Sequence, residues 1–204
     1  MNMKKMLLIA FALSGMTALI YEVVWSRPLQ LIFGSTIYAV STILTTFFMG
    51  FALGAYIFRN LADRIKSPVK MFALLELGIG LYGLVILYLF KIMPVIYLSL
   101  AEIPGIQFIQ FLVLFLILII PTTLFGATWP VVNKIYIDSK NLGKDAGKLY
   151  SFNSLGAFLG SIGTGFILIP LLGIKATSLF AALINIIIAI IIFIFLKKGV
   201  RNES

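Results

Sequence analysis

Thr177–Leu196 reads TSLFAALINIIIAIIIFIFL, twenty residues without a charge and with a single amide, at Asn185. A helix rising about 1.5 Å per residue needs roughly this length to cross about 30 Å of hydrocarbon. The same reading applies to Met6–Trp25, Ile37–Phe58, Met71–Phe90, Phe108–Trp129 and Leu149–Leu172. Barrel strands are shorter and alternate in polarity, so helices are how this backbone satisfies its own hydrogen bonds in lipid. The expectation is an all-α integral membrane bundle of six transmembrane helices, forming one domain over residues 1–204.

Composition supports a lipid solvent. Hydrophobic residues make up 61% of the chain and charged ones 11%, with a mean hydropathy of +1.12, far from the soluble globular range. With the six spans drawn, the basic residues sort to one side. Lys4, Lys5, Arg59, Arg64, Lys66, Lys70, Lys134, Lys140, Lys144, Lys148, Lys197, Lys198 and Arg201 fall together, leaving Arg27, Lys91 and Lys175 opposite. The positive-inside rule then predicts both termini in the cytoplasm and a multi-pass protein of the cytoplasmic membrane. The formal charge of +9 is accounted for by topology and by anionic headgroups of the lipid bilayer, and no nucleic-acid partner is expected. Lys4-Lys5, Met6–Leu13 and the small residues Ala12 and Ser14 also fit a cleaved signal peptide. The apolar pattern continues to Trp25, however, so the segment is read as a retained span. The chain has no Cys and no His, which predicts no disulfide, no metal site and no cofactor of that chemistry.

Small residues mark where helices can close on one another. Gly50-x-x-x-Gly54, Gly78, Gly80 and Gly83, and Gly156-x-x-x-Gly160 with Ser161, Gly163 and Gly165, present faces for close backbone approach. Ordinary packing within one subunit and a moving or subunit-facing seam between spans 2 and 5 are both open. Pro121 and Pro130 in span 4 and Pro170 near the end of span 5 are positions for a kink or a helix end.

Charges that cannot easily reach water come next. Glu22 in span 1 and Glu76 in span 3 cost about 2.5–3.5 kcal/mol on insertion scales if ionised near the bilayer centre, so both are expected to face the bundle interior. Arg27 is the nearest local partner for Glu22. Glu22, Arg27, Glu76, Asn153 and Asn185 are the candidates for substrate binding or proton coupling. Interhelical hydrogen bonding is the other role open to Asn153, Ser154 and Asn185.

The loop Asn60-Leu-Ala-Asp63-Arg64-Ile-Lys66-Ser-Pro-Val-Lys70 resembles the signature of the major facilitator superfamily between its second and third helices. Asn60 replaces the leading Gly, and Lys66-Ser67 replaces Gly-Arg. The resemblance implies that Asp63 and Arg64 latch one conformation of a rocking transporter. A wider resemblance covers nearly the whole chain. Ser14-Gly15, Ala18 through Arg27 (ALIYEVVWSR), Phe33-Gly34-Ser35, Gly50-Phe-Ala-Leu-Gly54, Leu75-Glu76-Leu77-Gly78, Phe125 through Pro130 (FGATWP), Leu149 through Ala157 (LYSFNSLGA) and Gly165 through Pro170 (GFILIP) look like the membrane region of prokaryotic spermidine-synthase-like fusion proteins. That region is facilitator-like. The Gly-rich nucleotide loop and acidic amine site of an aminopropyltransferase domain do not occur among the 204 residues, so no enzymatic activity is expected of this chain.

Six spans are half the usual facilitator count, and an internal echo suggests a three-plus-three repeat. Ala73-Leu-Leu-Glu76-Leu lines up with Ala182-Leu-Ile-Asn185-Ile, and Tyr38 with Ser41-Thr42 is echoed by Tyr150 with Ser151 and Ser154. A complete alternating-access pathway would then need two copies of the chain. Two functions are expected to compete. One is a half-size, facilitator-like transporter acting as a homodimer on a cationic small molecule, with polyamine the class implied by the resemblance. The other is a non-transporting anchor for a separately encoded, cytoplasmic aminopropyltransferase-like enzyme.

Overall fold

The computed structural model describes residues 3–98 and 105–201. Among them there is no strand. The helices are α1 (Met3–Phe33), α2 (Thr36–Arg64), α3 (Pro68–Leu98), α4 (Ile106–Tyr136), α5 (Leu142–Gly163) and α6 (Ile169–Arg201). A 3-10 turn, Ser139–Asn141, precedes α5 and a π turn, Thr164–Leu168, joins α5 to α6. Five helical stretches are long and apolar enough to cross a membrane, the last running continuously over Ser139–Lys197. At 59 residues that stretch would be nearly 90 Å long if straight, by about 1.5 Å per residue. It is not straight, because Gly173 leaves helical geometry with φ 78° and ψ 171°, a conformation that a Cβ would penalise.

Local chemistry explains the other boundaries. Gly34 takes φ +62° between α1 and α2, and extended Ser35 starts the new helix. Alpha2 stops at extended Ile65 because Pro68 disfavours helical geometry at Ser67, and the same proline is well suited to open α3.

Of the two outcomes open to Pro121, Pro130 and Pro170, a kink or a helix end, none of the three takes the second. Alpha4 runs through both Pro121 and Pro130. Pro121 has no N–H for the Ile117 carbonyl one turn back, and the Tyr82 hydroxyl of α3 donates to that carbonyl at 2.8 Å instead. Tyr82→Phe should therefore cost about 1 kcal/mol, the ordinary net worth of one such bond. Denaturant unfolding of the purified protein checks this, with the exposed Tyr88 changed to Phe as a control that should leave stability unaltered. Pro170 does not end span 5. The wide π turn before it, where the Ile169 N–H bonds Thr164 O, carries the helix past the proline ring, and the break falls three residues later at Gly173. Alpha1 also exceeds its expected span, continuing through Arg27 and Pro28 to Phe33.

Alpha1 is the most buried helix and packs on α5, α6 and α2. The other close pairs are α2 with α4, α3 with α6, and α3 with α4. A Cβ on Gly50 would run into Thr122 and one on Gly54 into the Thr123 carbonyl, while Gly126 lies against the Phe51 backbone. In the same way Gly156 abuts the Ala12 carbonyl and Gly160 the Met16 carbonyl. Both GxxxG faces are thus filled by helices of the same chain, so these glycines do not form a subunit-facing seam between spans 2 and 5. Gly163 and Gly165 meet nothing. The outer surface is apolar, with Phe48, Phe158, Phe166 and Leu171 all exposed, as a lipid-facing shell requires.

Candidate functional site

The interior consists of two apolar clusters. One holds Met6, Leu7, Phe11, Phe72, Val131, Leu149 and Ile192, and the other Tyr21, Trp25, Leu29, Phe47, Ile86, Leu114 and Phe125. Between them on α1 lie Ser14 and Thr17, on α3 Glu76 and on α6 Asn185, all buried and none in either cluster. A polar layer therefore crosses the bundle near the middle of α1 and α6.

Its centre is an amide against a carboxylate. Asn185 Nδ2 donates to Glu76 Oε2 at 2.7 Å and to Thr17 Oγ1 at 3.0 Å, and Thr17 Oγ1 in turn donates to the Ser14 carbonyl at 2.9 Å. The Ser14 hydroxyl adjoins the same carboxylate. Glu76 and Asn185 are both 0% exposed. They meet because Gly80, one turn beyond Glu76, lets α3 close on the Ala182 carbonyl and Ile186 of α6. Glu76 Oε1 and Asn185 Oδ1 are buried without a hydrogen-bond partner.

On the other side of Ser14 a cavity of about 240 Å³ opens between α1, α2, α4 and α5. Aromatic rings dominate it, namely Phe11, Phe51, Phe125 and Trp129, with Ser14, Thr128 and Asn153 as its polar groups. Phe11 and Trp129 stand 5.7 Å apart between ring centroids, and Phe51 and Phe125 meet edge to face at 6.4 Å. Asn153 Nδ2 donates to the Phe11 carbonyl at 2.9 Å, which ties α5 to α1 at the cavity wall. Aromatic faces without a fixed counter-charge attract organic cations, and the Glu76 carboxylate lies behind Ser14.

The remaining expected site residues lie elsewhere. Glu22 is half-buried, Arg27 is exposed, and no salt bridge joins them among the described residues. Five residues turn about 140° around a helix, so the two project from different faces. Asp63 is paired not with Arg64 but with Lys134 at 3.7 Å. Lys134 Nζ also donates to the Ala62 carbonyl at 2.7 Å, placing a cation at the C-terminal end of α2 where the helix dipole favours one. Sequence reasoning counted Lys134 only as a loop charge. It also missed Thr17 and the aromatic cavity wall. The signals were Thr17 three residues after Ser14, and Trp129 within FGATWP.

No family model, no curated protein and no solved structure matches the chain.

Proposed function

We propose that this protein is a half-size, facilitator-like membrane transporter that acts as a homodimer on a cationic small molecule, with polyamines the first class to try. The observation that carries the reading is the aromatic cavity among α1, α2, α4 and α5, separated by one serine from a fully buried carboxylate. Cation–π attraction supplies binding without a desolvated anion in the cavity itself, and a buried ionisable group at membrane depth is a functional candidate by default.

The packing supports the half-facilitator part. If α1, α2 and α3 are exchanged with α4, α5 and α6, the pair α1–α5 becomes α4–α2, α3–α4 becomes α6–α1 and α3–α6 maps onto itself, and all of these pairs are in contact. The glycine pairs follow the same exchange, Gly156 and Gly160 on Ala12 and Met16 answering Gly50 and Gly54 on Thr122 and Gly126. Residues on a pseudo-two-fold axis touch their own counterparts, and Glu76 and Asn185, counterparts in the sequence echo, are hydrogen-bonded to each other. On this reading the chain crosses the membrane six times, Gly173 divides spans 5 and 6, and both termini are cytoplasmic.

Thermal unfolding with spermidine, putrescine, amino acids and nucleosides tests the reading. A cation at about 100 times its dissociation constant should stabilise the protein by about 2.7 kcal/mol, and Trp129→Ala should abolish that gain. No stabilisation by any cation, together with co-purification of a soluble aminopropyltransferase-like enzyme, would replace the transporter by the membrane anchor. A monomer in both detergent and lipid would remove the dimer.

A further inference from the structure

The polar layer contains two acceptor oxygens with nothing to accept. Glu76 Oε1 and Asn185 Oδ1 are both buried and unpartnered, although their residues are already joined through Asn185 Nδ2 and Glu76 Oε2. An unsatisfied buried polar atom costs about 1–3 kcal/mol, and two in one contact point to a missing donor. A carboxylic acid and a primary amide match edge to edge, with N–H to one carboxyl oxygen and O–H from the other carboxyl oxygen to the amide oxygen. One proton on Oε1 satisfies both atoms at once, while the second Nδ2 hydrogen stays on Thr17.

We infer that Glu76 and Asn185 form an acid–amide pair that holds one exchangeable proton in the middle of the bundle. The proton comes from hydronium, leaving water, and returns to water on release, so no other reactant is needed. A metal cation fits less well. Hard divalent ions gather six or more oxygens, the pair offers two free ones, and no cluster of metal-binding side chains occurs among the described residues.

No countercharge faces the pair among the described residues. From α1 the groups facing Glu76 are Ser14, Thr17 and the Tyr21 phenol, and from α6 Asn185. Alpha4 carries one charge, Lys134, and that is engaged with Asp63 and Ala62. No salt bridge reaches Glu76 among the described residues. Two turns along the bundle, towards the α1–α2 turn, the Tyr21 hydroxyl lies against Gly83. It and Ser178 Oγ are buried and unpartnered.

The inference supplies the coupling ion for the transporter reading and rests on it for its purpose, but its test is spectroscopic. Infrared spectra of the protein in lipid nanodiscs, titrated from acid to alkaline pH, should show the carbonyl stretch of a protonated carboxyl. It should vanish in Glu76→Gln, persist in Glu22→Gln and move in frequency in Asn185→Leu, where the amide bond is lost. Exchange of sodium for potassium should leave it unchanged. Absence of the band in the wild type, its persistence in Glu76→Gln, an unmoved band in Asn185→Leu, or its loss on adding sodium at constant pH would each overturn the pair. Should Glu76→Gln not fold, the presence of the band in the wild type and its indifference to sodium decide. Failure here would leave cation binding in the aromatic cavity intact, and failure there would leave this band.

Discussion

Gly156→Ala should lower the stability of the bundle by about 1–3 kcal/mol, the range for overpacking a tight interior, and Gly156→Leu should prevent folding. The Cβ of the alanine would meet the Ala12 carbonyl, which belongs to the central helix and cannot swing aside as a flexible side chain does. Without a hydrophobic force between helices in lipid, close backbone contact of this kind is a main source of association, so separating α1 from α5 weakens the contacts along their whole length. Gly163 stands seven residues further along the same helix, and nothing lies within 4 Å of where its Cβ would be. Gly163→Ala should therefore change stability by less than about 1 kcal/mol, and towards greater stability, because alanine is the better helix former. Unfolding of both variants in lipid nanodiscs measures the difference. Equal effects at the two positions would mean that helix propensity, not the α1–α5 contact, governs the response.

That contrast marks how far sequence reasoning reached. Long apolar helices were legible because hydrocarbon demands about twenty apolar residues in a row, and Thr177–Leu196 has no soluble reading. The GxxxG pattern announced close approach, but not to which helix, since Ala12 and Thr122 carry no mark of being partners. The cost of a charge in lipid placed Glu76 inward, yet its contact with Asn185 spans 109 residues and was visible only as a sequence echo. The expected Glu22–Arg27 pair failed on helical geometry alone. The cavity aromatics escaped notice because Phe11, Phe51, Phe125 and Trp129 have the spacing and chemistry of ordinary core residues. Pro170 was left open as a kink or a helix end because sequence does not announce a π turn, whereas Gly173, the position of the break, passed as one glycine among seventeen.

Asn185→Leu should be the more damaging half of a revealing pair of changes. Leucine removes the donor that holds Glu76 Oε2 and Thr17 Oγ1, leaving a carboxyl group sealed in the bundle, and loss of one partner of a buried polar contact costs about 1–3 kcal/mol, more when the survivor is charged. Replacing both partners by apolar groups of similar shape is much less costly, because no orphan remains. Glu76→Leu combined with Asn185→Leu should accordingly be more stable than Asn185→Leu alone, by about 1–3 kcal/mol, although it carries the additional substitution. Glu76→Gln should fall between wild type and Asn185→Leu, since its amide still pairs with Asn185. Equilibrium unfolding of wild type, Glu76→Leu, Asn185→Leu and the double leucine protein in one lipid completes the double-mutant cycle, whose interaction term isolates the pair. Simple additivity would mean that the two side chains do not depend on each other, and the polar layer would then be a set of separate hydrogen bonds. A large coupling with wild-type stability restored in the double leucine protein would mean instead that the bundle does not need this pair in order to fold. The polar pair would then be retained for function, since two leucines would serve the fold equally well.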